Sequence, residues 1–388
     1  MLKALAIANY RSIRELVLPL GELNLVTGPN GAGKSNLYRA LRLLSETAQG
    51  TATGSIAGEG SLASVLWAGP EQFSRGMRKG TEAIQGGPRK KPVNLKLGLA
   101  GEDFNYAIDF GLPSPIARTL FDGDPEVKRE AIWIGDTYHP SRLMVDRSGP
   151  LVKSRDDNGD WQILNRHLAP FDSMLAHSAD PTLAPEAYNL REQVRAWRFY
   201  DHFRTDRDAP SRQSQIGTRT VVLHHDGRDL PAAWRTIEEI GDQQGLTSVL
   251  CDAFPGAEVA ILRDAGRFSL QFFQPGLLRP LNQWELSDGT LRYLCLVAAL
   301  LTPRPPALMV LNEPEMSLHP DLLPALARLM LRSAKHSQLW VTSHSEVLID
   351  LLSQESMCNH IHLTKELGET QCRGLAMSEA PVWRWPGR

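Results

Sequence analysis

Three short apolar runs frame this chain: residues 23–27, 307–311 and 338–342. Each has strand length and too little alternation to leave one face in water. Each therefore predicts a strand buried on both faces, as in a parallel sheet covered by helices. After the first run, Leu37, Ala40, Leu41 and Leu44 recur at helical spacing. Residues 291–297 predict a second, apolar helix, with Ser287 and Asp288 as good N-cap residues ahead of it. Residues 94–165 have another rhythm. Leu95 and Leu97 alternate with Asn94 and Lys96, and Gly101, Gly111 and Asp157-Asn158-Gly159 punctuate the segment, which predicts strands joined by turns. Residues 166–284 predict a mixed helical lid without internal repeats. Pro, Gly and Trp interrupt every candidate heptad there, so no coiled-coil arm is expected. The whole pattern predicts an α/β fold with an antiparallel β subdomain and a mixed helical insert, divided as 1–165, 166–284 and 285–388.

Chemistry enters at the ends of these runs. Directly after residue 27 come Gly28, Pro29, Asn30, Gly31, Ala32, Gly33, Lys34 and Ser35, a full match to G-x-x-x-x-G-K-[ST], with Asn36 next. Strand, glycine loop and helix form the setting in which this motif cradles phosphate. The glycines let backbone N–H groups turn around phosphate oxygens at the positive end of a helix. Lys34 suits the β- and γ-phosphates and the Ser35 hydroxyl suits Mg2+. ATP with Mg2+ is thus the expected ligand, in a P-loop NTPase fold.

The second run delivers Asn312 and Glu313 to the carboxyl end of its strand, the edge where ligands sit in open α/β sheets. A carboxylate there orients an attacking water toward the γ-phosphate, and Glu313 is the candidate. Glu315, beyond Pro314, is expected at the surface or in a supporting place. Asn312 stands where phosphate-loop ATPases usually carry Asp; it keeps an acceptor for Mg2+ but loses a full charge, which predicts weaker metal affinity and slower turnover. His344 follows the third run and suits a γ-phosphate contact. The Ser287 hydroxyl, the Gly289 amide and the helix start after them predict a second anion site. One phosphate loop is already assigned, so this second site would serve the ATP of a facing copy.

Composition narrows the partners. The 388 residues are 42% hydrophobic and 22% charged, ordinary for a soluble globular protein. A net charge of −2 gives no global pull toward nucleic acid. Cys251, Cys295, Cys358 and Cys372 lack C-x-x-C spacing and read as reduced thiols of a cytoplasmic protein. Residues 1–8 read as a strand rather than a signal peptide, and the longest apolar stretch, 294–301, is far shorter than a bilayer needs. No membrane domain is expected.

Five ordered motifs resemble a family. Residues 28–35, the segment Leu286-Ser287-Asp288-Gly289, Leu311-Asn312-Glu313-Pro314-Glu315, Ser317-Leu318-His319-Pro320 and Thr342-Ser343-His344-Ser345 look like the ABC-type ATPase heads of the RecF and SMC group. Ile7-Ala8-Asn9-Tyr10-Arg11-Ser12-Ile13 resembles that group's opening strand. The chain is most similar to small bacterial predicted ATPases with Leu-Asn-Glu-Pro-Glu at the catalytic strand. The resemblance implies a homodimer with ATP sandwiched between heads: Lys34 and Ser35 from one, Ser287 and Gly289 from the other, and residues 317–319 at the seam. It also implies action on DNA, in repair, recombination or phage defence, or on an effector protein such as a nuclease. The glutamine that usually follows the third strand of such heads has no secure match; Gln72 and Gln85 are the nearest candidates. With the chain ending soon after His344, no fused nuclease domain is expected. The missing glutamine and the opening strand weaken a membrane-transporter reading, while Asn312 keeps open a nucleotide-gated switch that hardly turns over.

Two stretches are locally basic. Arg75, Arg78, Lys79, Arg89, Lys90 and Lys91 flank a glycine-rich loop. Arg191, Arg195 and Arg198 have the spacing of one helical face, with Trp197, Phe199, Tyr200 and Phe203 interleaved and Arg204, Arg207, Arg212 and Arg219 following. Cations with aromatics suit a nucleic-acid backbone and unstacked bases. Glu192, Asp201, Asp206 and Asp208 dilute them, and a solvated face with intrachain ion pairs is the competing reading.

Overall fold

The structure is a computed structural model, and it describes residues 1–82, 93–113, 120–374 and 381–387. The chain forms two compact units interleaved in sequence. One holds Met1–Leu20, Gly28–Ala196 and Ile361–Arg388; the other holds Gly21–Thr27 and Trp197–His360.

The first unit is built on an eight-stranded antiparallel sheet. Its order is Ile13–Pro19, Ala4–Tyr10, Leu95–Ala100, Asn105–Gly111, Glu126–Trp133, Leu143–Ser148, Leu151–Arg155 and Trp161–Asn165. The alternation read at residues 94–97 holds for Leu95 and Leu97, which are buried, and Lys96, which is half-buried, but Asn94 is buried as well, its side-chain amide donating to the Asp109 carboxylate. The helix Lys34–Gln49 lies against the sheet and buries Leu37, Leu41 and Leu44. Among the sheet's buried groups is an ion pair, Arg147 with Glu130 at 2.8 Å, both with fully buried side chains. Glu130 also accepts from the Tyr106 hydroxyl, the Ser173 hydroxyl and the Met174 amide, so no charge there is left without partners. Elsewhere Ala107, Ala131, Trp133 and Leu143 form an apolar cluster covered by Trp383 and Trp385 from near the carboxyl terminus.

The second unit holds the parallel strands, in the order Arg198–Tyr200, Leu308–Asn312, Gln338–Thr342 and Leu23–Thr27. The central residues of the last three are wholly buried, Asn24 among them, whereas Phe199 in the first is half-buried. The strand expected at 307–311 runs one residue later, so Asn312 is its last residue. Helices Asp288–Leu300, Leu323–Ala334, Leu230–Ile240, Gln243–Ala253 and Glu346–Ser353 supply much of one core. A small antiparallel sheet of Gln215–Ile216, Arg267–Phe273, Glu258–Asp264 and Leu281–Asn282 completes the unit.

The second basic stretch does not form the face that its spacing suggests. The helix Pro185–Arg195 stops at Arg195, and Arg198 opens a strand of the parallel sheet. Trp197, Tyr200 and Phe203 are buried, which removes them as stacking platforms. Arg212 is buried too. Of the first stretch, Arg75, Arg78 and Lys79 are exposed on the short helix Arg75–Lys79, whereas Arg89, Lys90, Lys91 and Gln85 lie outside the described residues. Gln72 is exposed. All four cysteines are free; Cys295 is buried, but Cys251 is exposed on its helix despite its apolar neighbours. Among the described residues the longest helix has 16 residues, and no helix is long and apolar enough to cross a membrane.

Candidate nucleotide-binding site

The glycine loop belongs to the first unit and has the backbone that only its sequence permits. Gly28, Gly31 and Gly33 take φ values of 142°, 78° and 115°. A Cβ on Gly28 would stand 2.4 Å from the Leu363 carbonyl oxygen, and one on Gly33 would stand 2.3 Å from the Thr370 hydroxyl. Both positions are closed to any side chain. Gly33 caps the helix Lys34–Gln49 without a side-chain hydrogen bond, and its carbonyl accepts from the Asn36 and Leu37 amides, so what the helix start offers an outside acceptor is the turn before them. Lys34 folds back over the loop and donates to the carbonyls of Gly28 (2.6 Å) and Pro29 (3.1 Å). Ser35 is exposed at the helix start, as are Pro29, Asn30 and Gly31, while Ala32 is buried. Asn36 is tied inward, donating to the Ser12 hydroxyl at 2.8 Å. Ser12 in turn meets the Thr370 hydroxyl at 2.7 Å, and Thr370 donates to the Ala32 carbonyl at 2.8 Å. The loop is therefore braced from behind. Loop amides, an ammonium and the hydroxyl of an exposed serine at one helix start fit a triphosphate with Mg2+.

The carboxylates and the histidine belong to the second unit. Asn312 pairs in register with Thr342, and the Glu313 amide donates to the Thr342 carbonyl at 2.8 Å. Glu313 itself has φ 48°, a left-handed backbone rare for a side chain with a Cβ. That turn brings its Oε1 to 3.5 Å from Nε2 of His344, with both side chains about a third exposed. Glu313 and His344, separate in sequence, share one place. Glu315 is the residue that sequence reasoning undervalued. Its Oε1 accepts from the Ser343 hydroxyl (2.7 Å), the His344 amide (2.8 Å) and the Ser345 amide (3.2 Å). Ser345 then caps the helix Glu346–Ser353 by accepting from Leu348. The carboxylate thus holds the loop that carries His344, at the positive end of a helix. Three donors in a row, Ser-His-Ser before a helix, were the signal that an anionic acceptor was required.

The third group surrounds the helix Asp288–Leu300, also in the second unit. Ser287 is its N-cap, as expected, accepting from the Thr290 amide at 3.2 Å. Ser287, Gly289 and Thr290 line an open groove of about 620 Å3, with Ser317 through Leu322 and Phe254 on its other sides. A Cβ on Gly289 would stand 2.9 Å from the Ser317 carbonyl oxygen, so the helix start and this turn approach more closely than an alanine permits. Arg292, buried one turn along, donates to the Met316 carbonyl at 2.5 Å and contacts Nδ1 of His202. Burial, and then the Arg292 charge, holds His202 below the ordinary imidazole range, consistent with a neutral acceptor.

Comparison with known proteins gives the family and the fold. The profile of the family described as "AAA domain, putative AbiEii toxin, Type IV TA system" matches residues 23–350. The chain is 31% identical over 160 residues to the DNA replication and repair protein RecF of Brucella abortus, covering 37% of this chain and 40% of RecF. It is 48% identical over 44 residues to the OLD nuclease of Thermus scotoductus, 11% of this chain and 8% of that one. The chain thus spans less than half the length of these curated relatives. In fold it is similar to an SMC head bound to the C-winged helix domain of ScpA, with TM-score 0.52 and 13% identity over 98% of this chain and 99% of that one. An SMC head with an extended coiled coil, bound to a ScpA domain derived from Pyrococcus furiosus, gives TM-score 0.51 at 11% identity over 98% and 97%. The chain belongs to this AAA-domain family, and its fold is that of a RecF/SMC-like ABC-type ATPase head.

Proposed function

We propose that this chain is a Mg2+-dependent ATPase of the cytoplasm, that two copies clasp ATP between them, and that their closing and opening acts on DNA or on an effector protein. Residues 1–165 and 285–388 would make the head, with 166–284 as its insert. The observation that carries this reading is the second anion-ready helix start. One chain has a helix start at Gly33 that no side chain caps and another, exposed, at Ser287, and a single triphosphate site needs only one.

In this reading the glycine loop, residues 28–36, binds the β- and γ-phosphates through backbone amides such as those of Gly31, Gly33 and Ser35 and through the Lys34 ammonium. Ser35 and Asn312 would hold Mg2+, whose contribution is to neutralise charge on the phosphate oxygens. Glu313 orients the attacking water, and His344 donates to the γ-phosphate while its loop is held by Glu315. Ser287 and Gly289 of the second copy complete the donor set. Burial removes Trp197, Tyr200, Phe203 and Arg212 from any DNA surface, while Arg75, Arg78 and Lys79 of the first stretch and Arg204, Arg207 and Arg219 of the second stay exposed to meet DNA phosphates. The relatives named RecF and OLD nuclease support partners of the nucleic-acid and nuclease kind.

Sedimentation equilibrium of Glu313→Gln with ATP and Mg2+ tests the reading. A dimer is expected; a variant that binds ATP but stays monomeric at every concentration overturns it. Asn312 favours a second reading, a nucleotide-gated switch with little turnover. Asn312→Asp restores the missing charge, and a rise in hydrolysis of about tenfold or more supports the switch. An unchanged or lower rate removes it.

A further inference from the structure

Arg212 lies 75 positions before Ser287 in the chain and yet touches the segment that leads into it. Its side chain is 9% exposed. One terminal nitrogen donates to the carbonyls of Leu286 (2.8 Å) and Trp284 (3.2 Å) and reaches that of Gln283 at 3.5 Å. The other donates to the Asp288 carboxylate at 2.6 Å, and Nε donates to the Thr205 carbonyl at 2.7 Å. Nothing in this set is shared with the glycine loop, Glu313 or His344. The guanidinium of Arg212 is spent on one short stretch, residues 283–288, and on its own loop.

We propose that Arg212 is the positioning residue of the Leu286–Gly289 turn, holding it in the shape that accepts a second copy's triphosphate; this rests on the shared-site reading above. Two physical effects carry it. First, the carbonyls of Gln283, Trp284 and Leu286 are held by the guanidinium, which fixes the path of the chain into the helix start where an anion would bind. Second, Asp288 stands in the first turn with a carboxylate that is 62% exposed, beside Ser287 and Gly289. A bare carboxylate there would repel a phosphate, and the Arg212 charge offsets it. Lysine cannot replace this arrangement. Its ammonium is a compact point charge and does not present the planar fork that reaches Thr205, Leu286 and Asp288 together.

The test uses full-length protein in a Glu313→Gln background, comparing that parent with Arg212→Lys by sedimentation equilibrium in ATP and Mg2+. Binding of a fluorescent ATP analogue at low protein concentration reports the monomer's own loop. Arg212→Lys is expected to keep the parent's monomer affinity while its dimer weakens about tenfold or more, the size of one charge-assisted hydrogen bond lost. Should the lysine variant fail to fold, Arg212→Gln keeps two amide donors without burying a charge and gives the same comparison. A dimer as tight as the parent's overturns the inference alone. A parallel loss of monomer affinity assigns Arg212 to the general fold and overturns it as well. A monomeric parent removes the shared-site reading, and this inference with it.

Discussion

Single side chains do two kinds of work here, holding a loop and setting a charge. Glu315 does the first. Removing its carboxylate takes the acceptor from the Ser343 hydroxyl and the His344 amide, while the Ser345 amide keeps the Ser343 oxygen; an unmet donor costs about 1–3 kcal/mol where it is buried. Glu315→Ala is therefore expected to lose about tenfold or more in ATP hydrolysis, with a smaller loss for Glu315→Gln, which keeps an acceptor oxygen. Steady-state rates with ATP affinity measured alongside check this; equal rates for the two variants would show that the acceptor is irrelevant. Glu285 illustrates the second kind. The Arg279 guanidinium, with the Asn282 amide, holds its carboxyl down at about 2. A depressed carboxyl stabilises the folded state above its ordinary value and loses that contribution as pH falls through about 2. Its full exposure and screening by salt keep the effect small. In Arg279→Ala the Glu285 titration should return toward ~4.3. Carbon-detected NMR against pH reads it directly.

Elements show what was legible in the sequence and what was not. Residues 338–342 are marked as a strand to the residue because a short stretch with Leu339, Trp340 and Val341 at its centre, between Ser337 and Ser343, has few other uses. The glycine loop and the Ser287 cap are equally plain, since their residue types are demanded by backbone geometry. The strand Arg198–Tyr200 was hidden for the opposite reason. Three residues carry no period, and Arg191, Arg195 and Arg198 imitate a helical face across a boundary. Long-range pairs were equally invisible: Arg212 reads as one more surface cation until Thr205 and residues 283–288 surround it. The Glu130–Arg147 pair has the same character, joining neighbouring strands of the sheet at a site where both side chains are fully buried. Glu130→Ala would leave Arg147 charged and short of a partner, a cost of about 3–5 kcal/mol. The urea midpoint should fall accordingly. The double change Glu130→Leu with Arg147→Met should recover only part of it: no charge then stays buried, but the Tyr106, Ser173 and Met174 donors lose their acceptor.

At the scale of the whole molecule, stability and assembly become one quantity. A ligand that binds only the folded state adds RT ln(1 + [L]/Kd), about 2.7 kcal/mol at a hundredfold excess over Kd, and this does not depend on protein concentration. A dimer closed by ATP adds a further contribution that does. Glu313→Gln in Mg2+-ATP should therefore melt at a temperature that climbs as protein is concentrated, whereas without nucleotide its midpoint should stay fixed. Ser287→Arg, placed at an exposed cap in the Glu313→Gln background, separates the two contributions. It fills the groove between the helix start and Ser317 with a long side chain, yet leaves the glycine loop's own residues unchanged. Its midpoint should still rise with ATP, by the monomer's share, and lose its dependence on protein concentration. If that dependence persists, the second copy's triphosphate does not meet the chain at Ser287, and the seam between copies lies on another surface.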